Sequence, residues 1–222
     1  MARFYRMDPE RIRVVPPGID TRVYRRLEDR AGPACWRQAT LGDDAPVLLY
    51  VGKPARRRNL PALLEAFARL RREGLPHRLV LIGTGLAGAP VRPVVERLGI
   101  TAAVTEIAFA GPSELALAYN AADALIYPTS YEGFGLPVLE ALACGTPVVA
   151  LDATAIPEFA GGVAILLPDA EPGTLCAGIL QAVTDRDLRA AVARDGPRRA
   201  ARYDWRVIAP RFVDLLVEAA RG

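Results

Sequence analysis

Lysine and histidine are nearly missing from this 222-residue sequence: of 28 basic side chains all but Lys53 are arginine, and His77 is the single histidine. One imidazole rules out a histidine-built zinc site and leaves little room for a Ser-His-Asp triad. His77, just before an apolar run, reads as structural. The three cysteines, Cys35, Cys144 and Cys176, have no metal-type spacing and are odd in number, so they read as free thiols of a reducing compartment. No 18-residue stretch is free of charges or helix breakers, and residues 1–13 lack the apolar centre of a signal peptide, so the expectation is a cytosolic protein. Basic residues are also absent over the 87 residues 98–184, which carry nine acidic side chains. A nucleic-acid groove needs the opposite pattern.

What is present is ordinary globular material, 51% hydrophobic and 24% charged, with a net charge of +3. Apolar runs at 47–51, 78–82, 104–109, 124–127, 147–150 and 164–167 alternate with segments of helical length. Unbroken apolar strands joined by helical crossovers require a parallel sheet covered on both faces, so the fold class is α/β, a doubly wound, Rossmann-like parallel sheet of about six strands. Asn59 ahead of Leu60 and Pro61 reads as an N-cap, followed by Leu63, Leu64, Phe67 and Leu70 at helical spacing. Glu171 and Pro172 open a helix that buries Leu175, Ile179, Leu180 and Val183, and Asp185 caps the next. The last helix, 206–221, aligns Ile208, Phe212, Leu215, Leu216 and Ala219 in a stripe that needs a surface to cover. Residues 12–15 read as a strand before the turn at Pro16, Pro17 and Gly18.

Ligands of doubly wound sheets lie beyond the carboxyl ends of the strands. Two glycine-rich loops fall there. Gly83, Gly85 and Gly88 form a G-x-G-x-x-G with Glu106 some twenty residues on, the spacing of an NAD-type dinucleotide fingerprint, although the preceding strand is not the first of its sheet. The second loop is fuller in chemistry. Gly133 and Gly135 allow backbone to approach an anion, and a helix starting near Leu136 aims its free amides at the same place. Glu140 falls among apolar neighbours on the face of Leu136 and Ala143, where an idle carboxylate would cost several kcal/mol. Its partner is either a ligand with adjacent hydroxyls, such as a ribose, or a backbone amide or arginine from elsewhere. The loop after the 47–51 strand supplies the missing cations: Gly52, Lys53 and Arg58, with Arg56 and Arg57 reading as solvated.

Glu132 to Glu140, EGFGLPVLE, resembles the E-x7-E motif of the family 4, or group 1, retaining glycosyltransferases of GT-B fold. The likeness extends through Ala141-Leu-Ala-Cys-Gly-Thr-Pro-Val-Val, Ile156-Pro-Glu158 and Tyr119-Asn-Ala-Ala-Asp123. It begins at Arg13-Val-Val-Pro-Pro-Gly-Ile-Asp20 and reaches Tyr203-Asp-Trp205 and the final helix. The resemblance implies that residues 1–222 are one donor-binding domain, the C-terminal half of a GT-B enzyme. In that reading 1–20 is a leading linker and strand, 205–222 is a C-terminal helix, and the N-terminal acceptor domain is a missing partner in cis or trans. It implies that Glu132, Lys53 and Arg58 form the catalytic group. Gly52, Phe109, Gly111, Gly133, Phe134, Gly135, Leu136 and Glu140 would bind a UDP- or GDP-sugar, with Glu140 on the ribose and Phe109 and Gly111 near the base. No metal or other cofactor is implied, and the full enzyme could touch the inner membrane face peripherally. Lys53 and Arg58 stand in the reverse of the family's arginine-then-lysine order, which exchanges a fork for a point charge at each place. An NAD-binding domain and a non-catalytic scaffold are the alternatives.

Overall fold

The structure, a computed structural model, describes residues 8–9, 12–85 and 91–221. Six strands make one sheet: β1 (Val47–Val51), β2 (Arg78–Ile82), β3 (Val104–Ile107), β4 (Ala124–Tyr127), β5 (Val148–Leu151) and β6 (Ile165–Leu167). All pair in parallel, in the order β3-β2-β1-β4-β5-β6. The four central strands are buried along almost their whole length, which is why they read as unbroken apolar runs. β3 stops at Ile107, two residues short of the expected end, because the chain turns outward and leaves Phe109 72% exposed.

Helices α1 (Ala31–Leu41), α2 (Leu60–Arg72), α3 (Val91–Arg97), α4 (Pro112–Ala121), α5 (Leu136–Ala143), α6 (Ile156–Ala160), α7 (Pro172–Thr184) and α8 (Arg186–Ala201) pack around the sheet on both faces, and α9 (Trp205–Arg221) ends the chain's helices. One apolar cluster lies under α4, α5 and α6 and a second under α2 and α7. In α2 the stripe of Leu63, Leu64, Phe67 and Leu70 is buried as expected, each such side chain adding about 1.5–3 kcal/mol. The expected face of α7 needs correction: Leu175 and Ile179 are buried together with Gly178 and Ala182, whereas Leu180 lies off that stripe and is exposed. Asp185 does cap α8, accepting from the Leu188 amide at 3.0 Å.

Asn59 is not the side-chain cap that its position ahead of α2 suggested. It adopts a left-handed conformation, φ 48°, and its side-chain amide donates to the Pro128 carbonyl at 2.8 Å. At the amino ends of the strands His77 stays structural. Its Nε2 is 3.8 Å from Asp123, whose carboxylate also takes the Val47 amide and the Arg189 guanidinium. Burial lowers the imidazole's pKa, favouring its neutral form.

The expected strand at 12–15 does not form: these residues pair with no strand among the described residues, and the leading segment makes one parallel bridge farther on, Ile19 to Asp204. Asp204 fastens this crossing and caps α9. It accepts the Arg206 amide at 2.7 Å, the Arg206 guanidinium at 2.8 Å, and the Thr21 amide and hydroxyl. Its carboxyl is held well below the ordinary 3.8, chiefly by Arg206. A depressed carboxyl contributes stability that is complete above its unfolded value and drains away as pH falls below about 4. Asp204→Ala is expected to cost about 2 kcal/mol, through the lost cap and charged hydrogen bonds. Thermal melting at neutral pH and near pH 3 checks this, the difference from wild type shrinking in acid.

Beyond the cap α9 leaves the body: Ile208 is its one buried residue, while Trp205, Phe212 and Leu216 are each at least 50% exposed. Among the described residues no helix is long and apolar enough to cross a membrane.

Candidate functional site

The strand order reverses between β1 and β4, so the crevice of this sheet opens between the loops that follow them. These loops, residues 52–59 and 128–135, are bonded to one another. The Ser130 amide and hydroxyl donate to the Arg57 carbonyl at 2.8 and 3.0 Å, and the Arg57 Nε donates to the Tyr131 carbonyl at 3.1 Å. Arg56 and Arg57 are both exposed, as expected, and Arg57 in addition ties the two loops together.

Arg58 lies at the centre. Its guanidinium meets Glu132 at 3.1 Å, with the two side chains only 14% and 13% exposed, and sits 5.7 Å from the centre of the Tyr127 ring. The Tyr127 hydroxyl donates to the same Glu132 oxygen at 2.9 Å, and burial raises that phenol's pKa, keeping it a donor. Gly52 makes room: at φ 146° a Cβ there would fall 1.6 Å from an Arg58 nitrogen. The Glu132 amide donates to Thr154, itself left-handed at φ 52°.

Lys53 is exposed and has no hydrogen bond or ion pair among the described residues. Its neighbourhood differs from that of Arg58 in this respect: one cation is paired and shielded, the other exposed.

Gly135 caps α5 at φ 103°, where a Cβ would lie 2.3 Å from Ile156. The preceding Phe134 turns its ring inward, stacked on Phe159 at 4.7 Å and tilted against Tyr203 at 5.6 Å. The amides of Phe134, Gly135 and Leu136, at the start of α5, have no acceptor among the described residues. Gly133 has open space around its Cα and Leu136 is 38% exposed.

Glu140 has a partner, though neither of the protein partners that the sequence suggested. The fully buried Tyr119 on α4 donates its hydroxyl to Oε2 at 2.8 Å. Burial raises the Glu140 pKa, opposed by Tyr119 and then by Tyr24. Gly111 begins α4 and, with the exposed Phe109, stands at the carboxyl end of β3. No hydrogen bond or ion pair among the described residues joins Phe109 or Gly111 to the Arg58 cluster.

The other glycine loop is built differently. Gly83 follows β2 and lies against the Gly52 backbone, and its amide bonds the Ile107 carbonyl at 2.8 Å. The Glu106 carboxylate accepts from Thr84 at 2.9 Å. Gly88 lies outside the described residues. Among these residues, no group of three or more His, Cys, Asp or Glu is placed to hold a metal ion.

Sequence reading missed Tyr119, Tyr24, Tyr127 and Thr154. Tyr119 stands in the quoted Tyr119-Asn-Ala-Ala-Asp123 motif, and Tyr127 begins the segment that leads to Glu132, so both had a signal. Thr154 had none, because its left-handed backbone is invisible in sequence.

Comparison with known proteins matches residues 36–199 to the family model described as "Glycosyl transferases group 1". The chain is 32% identical over 228 residues to D-inositol 3-phosphate glycosyltransferase of Segniliparus rotundus, covering 100% of this chain and 50% of that one. It spans about half the length of the curated relatives it matches. Anabaena HepE, solved with UDP-glucose, superposes with a TM-score of 0.85 at 21% identity, over 96% of this chain and 59% of HepE. The C-terminal domain of the group 1 glycosyl transferase LpcC from Francisella tularensis superposes at 0.69 with 23% identity, over 83% of this chain and 97% of that domain. With a family match that runs from α1 through α8 and a likeness in fold that reaches a solved C-terminal domain, the chain belongs to the group 1 glycosyl transferases, as the C-terminal half of their GT-B fold.

Proposed function

We propose that the crevice between β1 and β4 binds the donor of a retaining glycosyl transfer, a UDP- or GDP-sugar. The observation that carries this reading is the convergence at one end of the sheet of two cations, a helix amino terminus and a buried carboxylate. Lys53, Arg58 and the amides of Phe134 to Leu136 meet the diphosphate, and Gly52 and Gly133 keep the approach clear. Glu132 fixes the Arg58 fork beside the donor sugar and its phosphates. Glu140 accepts the ribose hydroxyls, and Phe109 and Gly111 border the base. As the bond between sugar and diphosphate breaks, charge grows on the leaving phosphate, and preorganised cations and amides favour that state over the ground state. The acceptor attacks from the side of the leaving group, which preserves the anomeric configuration. No metal is assigned a part.

A UDP-glucose complex of Anabaena HepE supports a nucleotide sugar as donor class. The length of the relatives supports an acceptor-binding domain in cis or trans. The apolar side of α9 suits that domain. With Val15, Pro16 and Pro17 it lines a groove of about 1110 Å³, and Phe212 and Leu216 stand exposed along it.

Calorimetry of this chain with UDP, GDP and NAD tests the proposal. Micromolar to millimolar binding of UDP or GDP is expected, with no sugar transfer until the acceptor half is added. NAD binding that survives Glu140→Ala would overturn the donor reading in favour of a dinucleotide site, and no nucleotide binding at all would favour a scaffold.

A further inference from the structure

We propose that Tyr119 is a positioning residue for the donor site: its hydroxyl holds one oxygen of Glu140, fixing the carboxylate plane against which two adjacent ribose hydroxyls are read. This inference rests on the nucleotide reading of the site. A free glutamate on a helix samples several rotamers, and its terminal torsion is broad. One hydrogen bond at 2.8 Å from a fully buried side chain restricts that freedom.

Tyr119 is held from every side. It is fully buried, its ring meets Tyr24 edge-on at 6.2 Å, and its carbonyl accepts the Thr146 hydroxyl at 2.7 Å. The next residue, Asn120, is bonded through its side chain to the Leu27 amide and the Arg25 carbonyl, each at 2.9 Å, which pins this end of α4. A carboxylate offers about four lone-pair sites, so with one given to Tyr119 enough remain for two sugar hydroxyls.

The same bond governs charge. The titratable groups that face Glu140 are Tyr119 from α4, Tyr24 from the leading segment and Cys144 at the end of α5, and all three have pKa values raised by burial. Among the described residues no cation contributes to the shift of Glu140. Burial pushes its carboxyl toward the neutral form, and the Tyr119 hydroxyl is the foremost group opposing this, so it also preserves the ionised state that accepts hydroxyls.

Tyr119→Phe keeps the ring and its packing on Tyr24 and deletes only the donor. Two measurements on the whole chain test the proposal. Carbon-detected NMR titration of Glu140 without ligand is expected to show its pKa higher in the variant than in wild type. Calorimetry with UDP and 2′-deoxy-UDP is expected to show roughly a tenfold loss for UDP and a much smaller one for the deoxy analogue. The UDP deficit should narrow as the pH is raised, as the carboxyl ionises in the variant too. An unshifted Glu140 titration, or an equal loss for both nucleotides, would overturn the positioning role while leaving the donor site standing. If Glu140→Ala binds UDP as wild type does, the ribose reading itself fails, and this inference with it.

Discussion

Glu140→Ala is expected to remove nucleoside diphosphate binding almost entirely, by a hundredfold or more. Two hydroxyls accepted by one ionised carboxylate contribute roughly 1.5–3 kcal/mol each, and each 1.4 kcal/mol is about a factor of ten in affinity. The fold should survive the change. Deleting a buried carboxylate relieves its desolvation, while the Tyr119 hydroxyl loses its acceptor at about 1–3 kcal/mol, so the two effects oppose each other. Glu140→Gln keeps the shape and one accepting oxygen and should retain part of the affinity. Melting curves establish that both variants are folded, and calorimetry with UDP and GDP reads the loss. Unchanged affinity in a folded Glu140→Ala chain would place the ribose elsewhere.

The second large effect separates the two cations. Arg58→Ala strips Glu132 of its ion-pair partner in surroundings where the two side chains are only 14% and 13% exposed, leaving the carboxylate with the Tyr127 hydroxyl alone. Removing one member of a largely shielded pair costs about 2–4 kcal/mol, somewhat below the fully buried case. The melting temperature should therefore drop by several degrees as diphosphate affinity falls. Lys53→Ala should lower affinity by about tenfold with stability unchanged within about 0.5 kcal/mol, because an exposed lysine without a partner holds nothing in place. Its share of the affinity should also fade with added salt, as befits an exposed charge. Equal stability losses in the two variants would contradict the division of labour between a fixed fork and a mobile point charge.

Much of the scaffold was legible because parallel strands buried on both faces have no choice of composition. Val47–Val51, Arg78–Ile82 and Ala124–Tyr127 came out with the expected bounds for that reason. Where a second condition is required, sequence was insufficient. Residues 12–15 have strand-forming side chains, but a strand needs a neighbour to pair with, and the one backbone bridge of the leading segment among the described residues is Ile19 to Asp204. Asn59 has a capping residue's chemistry, yet the Pro128 carbonyl competes for its side chain. Leu180 is apolar, but the position of α7 on the sheet leaves it outside the buried stripe.

The candidate site divides along the same line. Residue types and local spacing determined that a glycine-bounded helix start, a buried glutamate and a cationic loop belong to the carboxyl ends of strands, since glycine freedom, helix amides and the cost of an idle carboxylate are local properties. Only the tertiary structure decided who holds whom. Arg58 and Glu132 are 74 residues apart in the chain, and Tyr119 and Glu140 are 21, yet each pair is in contact. Those contacts exist because the sheet reverses its order between β1 and β4 and because α4 and α5 lie on one face. Hydrogen bonds and ion pairs act over about 3 Å, a range set by how strands order and helices pack rather than by separation along the chain.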